Sequence, residues 1–386
     1  ALTGAFARLP EKWRLTFNLL PLLIPYIIPI CLVGFAAAVL QSHGRFAMPA
    51  LAPVILNVFW IAGLCVVYLT LTDLHVMVRV LAAVILAAGA VQFAIQLPAM
   101  KHRGVRLRFT PVVSHPGVKA VKKLMAPAVF GVAVIQINTL ADSLIAMALV
   151  KEAGGVSALY YANRMVQFPL ALTGIAAATA VFPTLSRLAA ENRKEKFAST
   201  LKESMLGVMF ITIPAAVGLA VLAKPVIQLL FERGKFDSAS TARTALALVS
   251  YTATIVSASL FHLVVRAFYS LKDTKTPVKI GSAMVALNLA LNLSLVWHLR
   301  EAGLALATSI TSIFNTTILL AILKKRAPDL DLSVIGAGVL RFAAIAAIMG
   351  GVVHATFSFL PDVDGLAMKA ANVGSAVAVG LLVTFV

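Results

Sequence analysis

Hydrophobic runs of about 20 residues or more follow one another from end to end of this chain, with only short polar turns between them. Such a run crosses about 30 Å of hydrocarbon at about 1.5 Å of helical rise per residue. Lipid offers no water to pair the backbone, so each run must satisfy its own N–H and C=O groups as a helix. A soluble fold would have to hide all of this surface in one core. Composition argues the same way: 60% of the residues are hydrophobic and 12% charged, against roughly 45–50% and about 25% in soluble domains. The predicted class is an all-α polytopic membrane protein.

About eleven spans are predicted, near 15–40, 47–70, 74–97, 124–150, 155–186, 203–223, 240–270, 276–298, 302–323, 332–356 and 366–386. The longest polar connection runs from Lys101 to Lys123. Alternate loops differ sharply in basic residues. One set, which includes the 101–123 segment and the Lys324–Lys325–Arg326 cluster, holds nineteen Lys and Arg, against about nine in the other. By the positive-inside rule the richer set is cytoplasmic, so the N-terminus of the chain lies outside and its C-terminus inside. This distribution, rather than a basic stripe interleaved with aromatics, accounts for the net charge of +18, and no nucleic-acid partner is expected. Cys31 and Cys65 both fall inside apolar runs, which excludes a disulfide framework. No signal peptide is recognisable, and both ends read as cut within a longer sequence. The proline cluster PLLIPYIIP, residues 21–29, predicts a bent helix.

Polar residues inside the spans are costly and need a reason. Asp142 is the carboxylate placed in the middle of a long apolar run, at about 2.5–3.5 kcal/mol on insertion scales. Asn138 and Thr139 share its helical face. A second polar face carries Asn288 and Asn292, four residues apart, and the next span adds Thr308 and Thr311. Carboxylate, amide and hydroxyl oxygens suit a hard monovalent cation or a proton relay. Interhelical hydrogen bonding alone is the other reading, at about 0.6 kcal/mol per bond. Arg164 lies about ten residues into its span, with Asn163 beside it and Gln167 one turn on. No carboxylate stands within a turn of it, so the guanidinium is expected to line a cavity and meet an anion, which its fork grips bidentately. Asp73, His75 and Arg79 read as an interfacial ion pair, and Arg266 as an anchor at the cytoplasmic face. Nothing resembles a Walker loop, a zinc helix or a supported Ser/His/Asp set, so no enzyme is predicted.

The stretch YYANRMVQFPLALTGIAAATAVFPTLSRLAA, with RAFYSLKDTKTPVKI and GRFAMPALAPVILN, resembles the MurJ/MviN family of lipid II flippases along essentially the whole chain. The resemblance implies the multidrug/oligosaccharidyl-lipid/polysaccharide exporter fold, with two six-helix lobes followed by two extra helices. It begins at the family's fourth helix, which divides the chain into half of a first lobe (1–100), a basic linker (101–123), a second six-helix lobe (124–323) and two additional helices (324–386). The implied activity is translocation of lipid II from the inner to the outer leaflet of the bacterial inner membrane by alternating access. Implied partners are that lipid-linked substrate, membrane lipids and cell-wall synthesis proteins. Arg164 matches the family's cavity arginine, while Asn163 departs from the acidic residue some members place there. Asp142, Asn288, Asn292, the backbone of Leu304, and Thr308 match positions that hold sodium in some members; Asn292 is acidic there and neutral here. No bound cofactor beyond such a sodium ion or proton is implied. Export of another lipid-linked glycan, ion-coupled drug export and an inactive membrane scaffold are the competing functions.

Overall fold

The computed structural model describes residues 11–43, 47–102, 116–150, 154–360 and 366–385, together with Arg45, Val105 and Glu152. The chain divides into two compact units at 115/116. Each of the eleven predicted runs is helical, and the described residues contain no strand. The chain is a polytopic all-α membrane protein.

The first unit comprises α1 (Glu11–Leu23), a 3-10 turn at Ile24–Tyr26, α2 (Ile27–Ser42), α3 (Ala47–Thr70), α4 (Leu74–Ala94) and α5 (Gln96–Lys101). The turn lies where the proline cluster predicts a bend, because Pro25 and Pro29 remove two backbone donors from successive turns. Small residues let the helices approach closely: Gly63 of α3 faces Val84, and Gly89 of α4 faces Tyr26. Gln92 of α4 donates from Nε2 to the carbonyl of Ala52 at 2.6 Å, joining α4 to α3. Asp73 corrects the expectation of an ion pair with Arg79. Its side chain accepts the backbone N–H of His75 at 2.8 Å and caps α4, the use that the orphan donors of a helix N-terminus favour. Large apolar side chains point outward, Ile28 and Leu69 among them, as a face meeting lipid tails requires. Cys31 and Cys65 are on exposed surface.

The second unit holds α6 (Pro116–Leu149), α7 (Gly155–Leu170), a π-helical turn (Ala171–Ile175), α8 (Ala176–Ala190), α9 (Lys194–Val221), α10 (Ala223–Phe231), α11 (Ser238–Ser270), α12 (Lys275–Arg326), α13 (Leu332–Phe359) and α14 (Leu366–Phe385). Residues 116–123, expected to belong to a linker, are the first turns of α6. The rest of that segment lies outside the described residues apart from Lys101, His102 and Val105. Two predicted spans share α12, which turns back on itself at Arg300 (φ 54°, ψ −133°). The turn brings Gly303 so close to Leu295 that a Cβ there would sit 2.6 Å from the Leu295 carbonyl oxygen. Among the described residues eight helices are long and apolar enough to cross a membrane, α12 counted once; α6 and α14 complete the predicted set. The short α10 was not predicted, being too brief to register as a span.

Aspartates cap two of the helices, Asp237 for α11 and Asp331 for α13, while Lys324, Lys325 and Arg326 close the last turn of α12, where cations offset the helix dipole. α11 is the central element. Its hydroxyls pair with those of α12 along a seam: Thr254 with Ser309 at 2.8 Å, Ser257 with Ser312 at 2.8 Å, and Thr316 to the carbonyl of Ser257 at 2.9 Å. On its other side α11 meets the π-helical turn that follows Pro169, and a Cβ on Gly174 would lie 2.6 Å from the Cα of Ser259. Backbone cannot retreat as a side-chain tip can. Gly174→Ala is therefore expected to cost about 1–3 kcal/mol, read as a lower thermal unfolding midpoint in detergent; an unchanged midpoint would show that the two helices can separate freely.

Candidate functional site

The polar residues predicted on three spans meet inside the second unit. Asp142, from α6, accepts the Nδ2 amide of Asn292 at 2.6 Å. The same Nδ2 reaches Oδ1 of Asn288 at 2.8 Å, and Asn288 donates in turn to Thr311 at 3.3 Å. Asn288 and Asn292 are buried and Asp142 is half-buried. α12 supplies both sides of the group because its corner at Arg300 returns 301–326 alongside 275–299. Thr308 donates to the carbonyl of Leu304 at 3.1 Å, so hydroxyl and carbonyl face one another. Asn138 is half-buried one turn before Asp142, and the carbonyl of Thr139 takes the hydroxyl of Ser143 at 2.9 Å. Sequence reasoning missed Tyr251. It is buried on α11, its phenol is paired with Thr308, and Asp142 is its charged neighbour. A hydroxyl at mid-span was the available signal.

Whether these residues suit a cation turns on their free acceptors. Asn292 Oδ1 is buried and has no hydrogen-bond partner among the described residues, a state that costs about 1–3 kcal/mol. A half-buried carboxylate beside an orphaned amide oxygen fits one positive charge. The single carboxylate and the Asn292 N–H turned toward it leave no room in the charge balance for a divalent ion.

The second site is a cavity of about 830 Å³ lined by α7, α9, α10, α13 and α14, with Phe168, Phe210, Leu219, Met349 and Leu381 among its apolar walls. Arg164 and Gln167 stand on its α7 side. The guanidinium donates to Gln167 at 3.3 Å, Gln167 donates to Asn163 at 3.1 Å, and Arg164 lies over the Tyr160 ring at 5.7 Å. Arg164 is exposed and forms no ion pair among the described residues. Amide and ring contacts orient the fork without neutralising it. The site therefore couples one fixed positive charge to a long apolar slot. Arg266, expected as an anchor, lies over Phe182 at 5.3 Å.

A third arrangement went unforeseen. Glu301 is buried at the corner of α12 and is bound by Arg243 of α11, while Arg300 binds Glu152 of the segment between α6 and α7. Glu152 also lies 4.0 Å from Arg243. Sequence reasoning set Glu301 in a turn between spans, where a carboxylate is cheap; only the folded corner buries it.

The sequence profile of the family described as lipid II flippase MurJ matches residues 2–367. A probable lipid II flippase MurJ from Vibrio cholerae is 39% identical over 80% of this chain and 58% of its own length. Its counterpart from Bdellovibrio bacteriovorus is 31% identical over 90% of this chain and 66% of its own length. A lipid II flippase MurJ from Burkholderia cenocepacia is 32% identical over 82% of this chain and 61% of its own length. The chain thus spans about three fifths of the length of the curated relatives it matches. Among solved structures, a lipid II flippase MurJ in an inward closed conformation superposes with a TM-score of 0.78 at 24% identity, covering 95% of this chain and 73% of that one. A Vibrio cholerae MATE transporter superposes at 0.53 and 16% identity over 84% of this chain and 72% of that one, a likeness of fold.

Proposed function

Because this chain belongs to the lipid II flippase MurJ family, we propose that it carries lipid II, a diphosphate-linked glycan on a long polyprenyl chain, from the inner to the outer leaflet of the inner membrane. One observation carries the reading. Arg164, oriented by Gln167 and Tyr160 yet paired with no carboxylate among the described residues, stands at an apolar cavity of about 830 Å³. A guanidinium fork suits diphosphate oxygens, and the apolar walls suit a polyprenyl tail. Moving such a molecule needs no bond broken, so the family's task is transport rather than catalysis. Alternating access, in which a lobe rocks about a central site, would carry the headgroup across. The test is a vesicle assay in which labelled lipid II becomes accessible from the far side; failure to move it, with another lipid-linked glycan moved instead, overturns the substrate.

The Asp142 group supports a coupled step. Asp142, the Oδ1 of Asn292, the Leu304 carbonyl and Thr308 would hold a sodium ion or proton, whose charge would bias the bundle between its two states. Asp142→Asn keeps the size of the side chain and removes its charge. In that variant flipping is expected to continue without responding to an imposed sodium or pH gradient; an unchanged response would remove Asp142 from coupling.

Orientation follows the charge asymmetry. Cysteines replacing Lys235 and Lys325 are expected to react with an impermeant reagent from opposite sides of sealed vesicles, Lys325 on the cytoplasmic side. Reaction from one side would overturn the topology.

A further inference from the structure

Arg341 is a charge that neither site uses. It lies nine residues after Leu332 in α13, about 13 Å along the helix, and its side chain is exposed. The packed face of α13 is turned elsewhere. Gly338 abuts Leu206, Phe342 stacks edge-on with Phe210 at 5.6 Å, Gly350 meets Val217, and Ala346 is fully buried. On the other side Leu340 and Ile348 are 74% and 65% exposed, a surface made for lipid tails. Arg341 therefore stands in the hydrocarbon layer, where an unpaired guanidinium is expensive.

Its surroundings offer an exit in one direction. No carboxylate among the described residues lies within ion-pairing distance of Arg341, and α13 itself contains no Asp or Glu. Helical side chains lean toward the N-terminus and cover the preceding turn. For Arg341 the lipid-facing residue of that turn is Ala337, four positions back, exposed and too small to block the guanidinium. The side chain can thus extend toward the Lys324–Arg326 end and bring its charge to the headgroup layer.

Two of the charges at that end are already committed. Arg326 pairs with Asp273 at 2.9 Å, and Lys324 donates to the carbonyls of Pro328 and Leu330. The hydroxyl and backbone N–H of Ser333 hold the Asp331 carboxyl below its usual range. Lys324, Lys325 and Arg326, with Lys272, Lys275 and Lys279 beside Asp273, outnumber Asp273, Asp329 and Asp331, so Arg341 adds to an end that is already net positive. A zwitterionic lipid would add no net charge against it; a lipid of net charge −1 would neutralise it.

We propose that Arg341, reaching over Ala337 on the lipid-facing side of α13, forms a binding site for the phosphate of an anionic phospholipid in the leaflet on the Lys324–Arg326 side. The site is separate from the cavity at Arg164 and holds a resident lipid against the outer face of α13, steadying one wall of the second unit.

The test uses the purified protein in phosphatidylcholine vesicles doped with a diazirine-bearing phosphatidylglycerol, with labelled peptides mapped by mass spectrometry. Labelling over residues 332–345 is expected to fall about fivefold in Arg341→Gln, the worth of one basic residue at an anionic surface, and to persist in Arg341→Lys. Labelling of α3 should be equal in all three proteins, which shows that the variants are inserted and folded. Excess phosphatidylglycerol should compete, and inorganic phosphate should not. Equal labelling in Arg341→Gln, equal labelling by a phosphatidylcholine probe, or displacement by inorganic phosphate would each overturn the proposal. Glu203 of α9 lies one turn before Leu206, the residue that touches Gly338. If Glu203→Gln raised the labelling, Arg341 would belong to that carboxylate rather than to a lipid, with the same consequence.

Discussion

Arg164→Ala is expected to reduce lipid II flipping at least about thirtyfold, because truncating one side of a desolvated charge pair costs about 2–5 kcal/mol and each 1.4 kcal/mol is a decade. The loss should appear in the transport rate with the protein still folded. Arg164 is exposed, and its contacts are Gln167 and the Tyr160 ring rather than a core partner, so unfolding should not confuse the result. Arg164→Lys separates charge from geometry. An ammonium keeps the charge and loses the two-pronged grip on phosphate oxygens, so partial activity is expected. Gln167→Ala, which frees the guanidinium to swing, should fall between wild type and Arg164→Ala. A wild-type rate in Arg164→Ala would detach the cavity from the substrate's headgroup. In cells depleted of their own flippase the same ranking should appear as survival.

The spans were legible because their signal is local. A run of about 20 apolar residues can do little but cross a bilayer as a helix, and the prolines at 21, 25 and 29 announced the turn at Ile24–Tyr26. Asp142, Asn288 and Asn292 were legible for the same reason: a polar side chain in such a run stands out one residue at a time. What joins them was not. The corner at Arg300 needs a positive φ in a non-glycine residue, a conformation that no residue pattern near it advertises. That corner turns two predicted spans into the two sides of one site. Tyr251 was missed because tyrosine is ordinary in a membrane helix until its hydroxyl is seen against Thr308. Asp73 was assigned to an ion pair since charge is visible in sequence and a free backbone N–H is not. Glu301 looked harmless because burial at a corner depends on residues 58 and more positions away.

That corner also sets the largest stability effect expected here. Glu301 has 4% side-chain exposure, its Oε1 is bound by Nε of Arg243, and its Oε2 is buried without a hydrogen-bond partner among the described residues. Arg243→Ala leaves a carboxylate buried with its one strong partner gone, at an expected cost of about 3–5 kcal/mol. The damage should spread, because the Arg243–Glu301 and Arg300–Glu152 pairs hold the ends of α6, α11 and both arms of α12, the elements that carry Asp142, Tyr251, Asn292 and Thr308. Arg300→Ala breaks a pair whose partners are 59% and 47% exposed, and there the expected loss is about 1 kcal/mol or less. The double variant Arg243→Ala/Glu301→Gln removes the stranded charge along with its partner. It should therefore be more stable than Arg243→Ala alone, with a coupling of about 0.5–3 kcal/mol in the mutant cycle. Thermal unfolding in detergent, followed by intrinsic fluorescence, reads the wild type, these three variants and the Glu301→Gln single variant that closes the cycle. If Arg243→Ala unfolds with wild-type stability, water already reaches Glu301, and the corner of α12 is held by the apolar contacts of Val296, Leu304 and Ala305 with α11 rather than by charge.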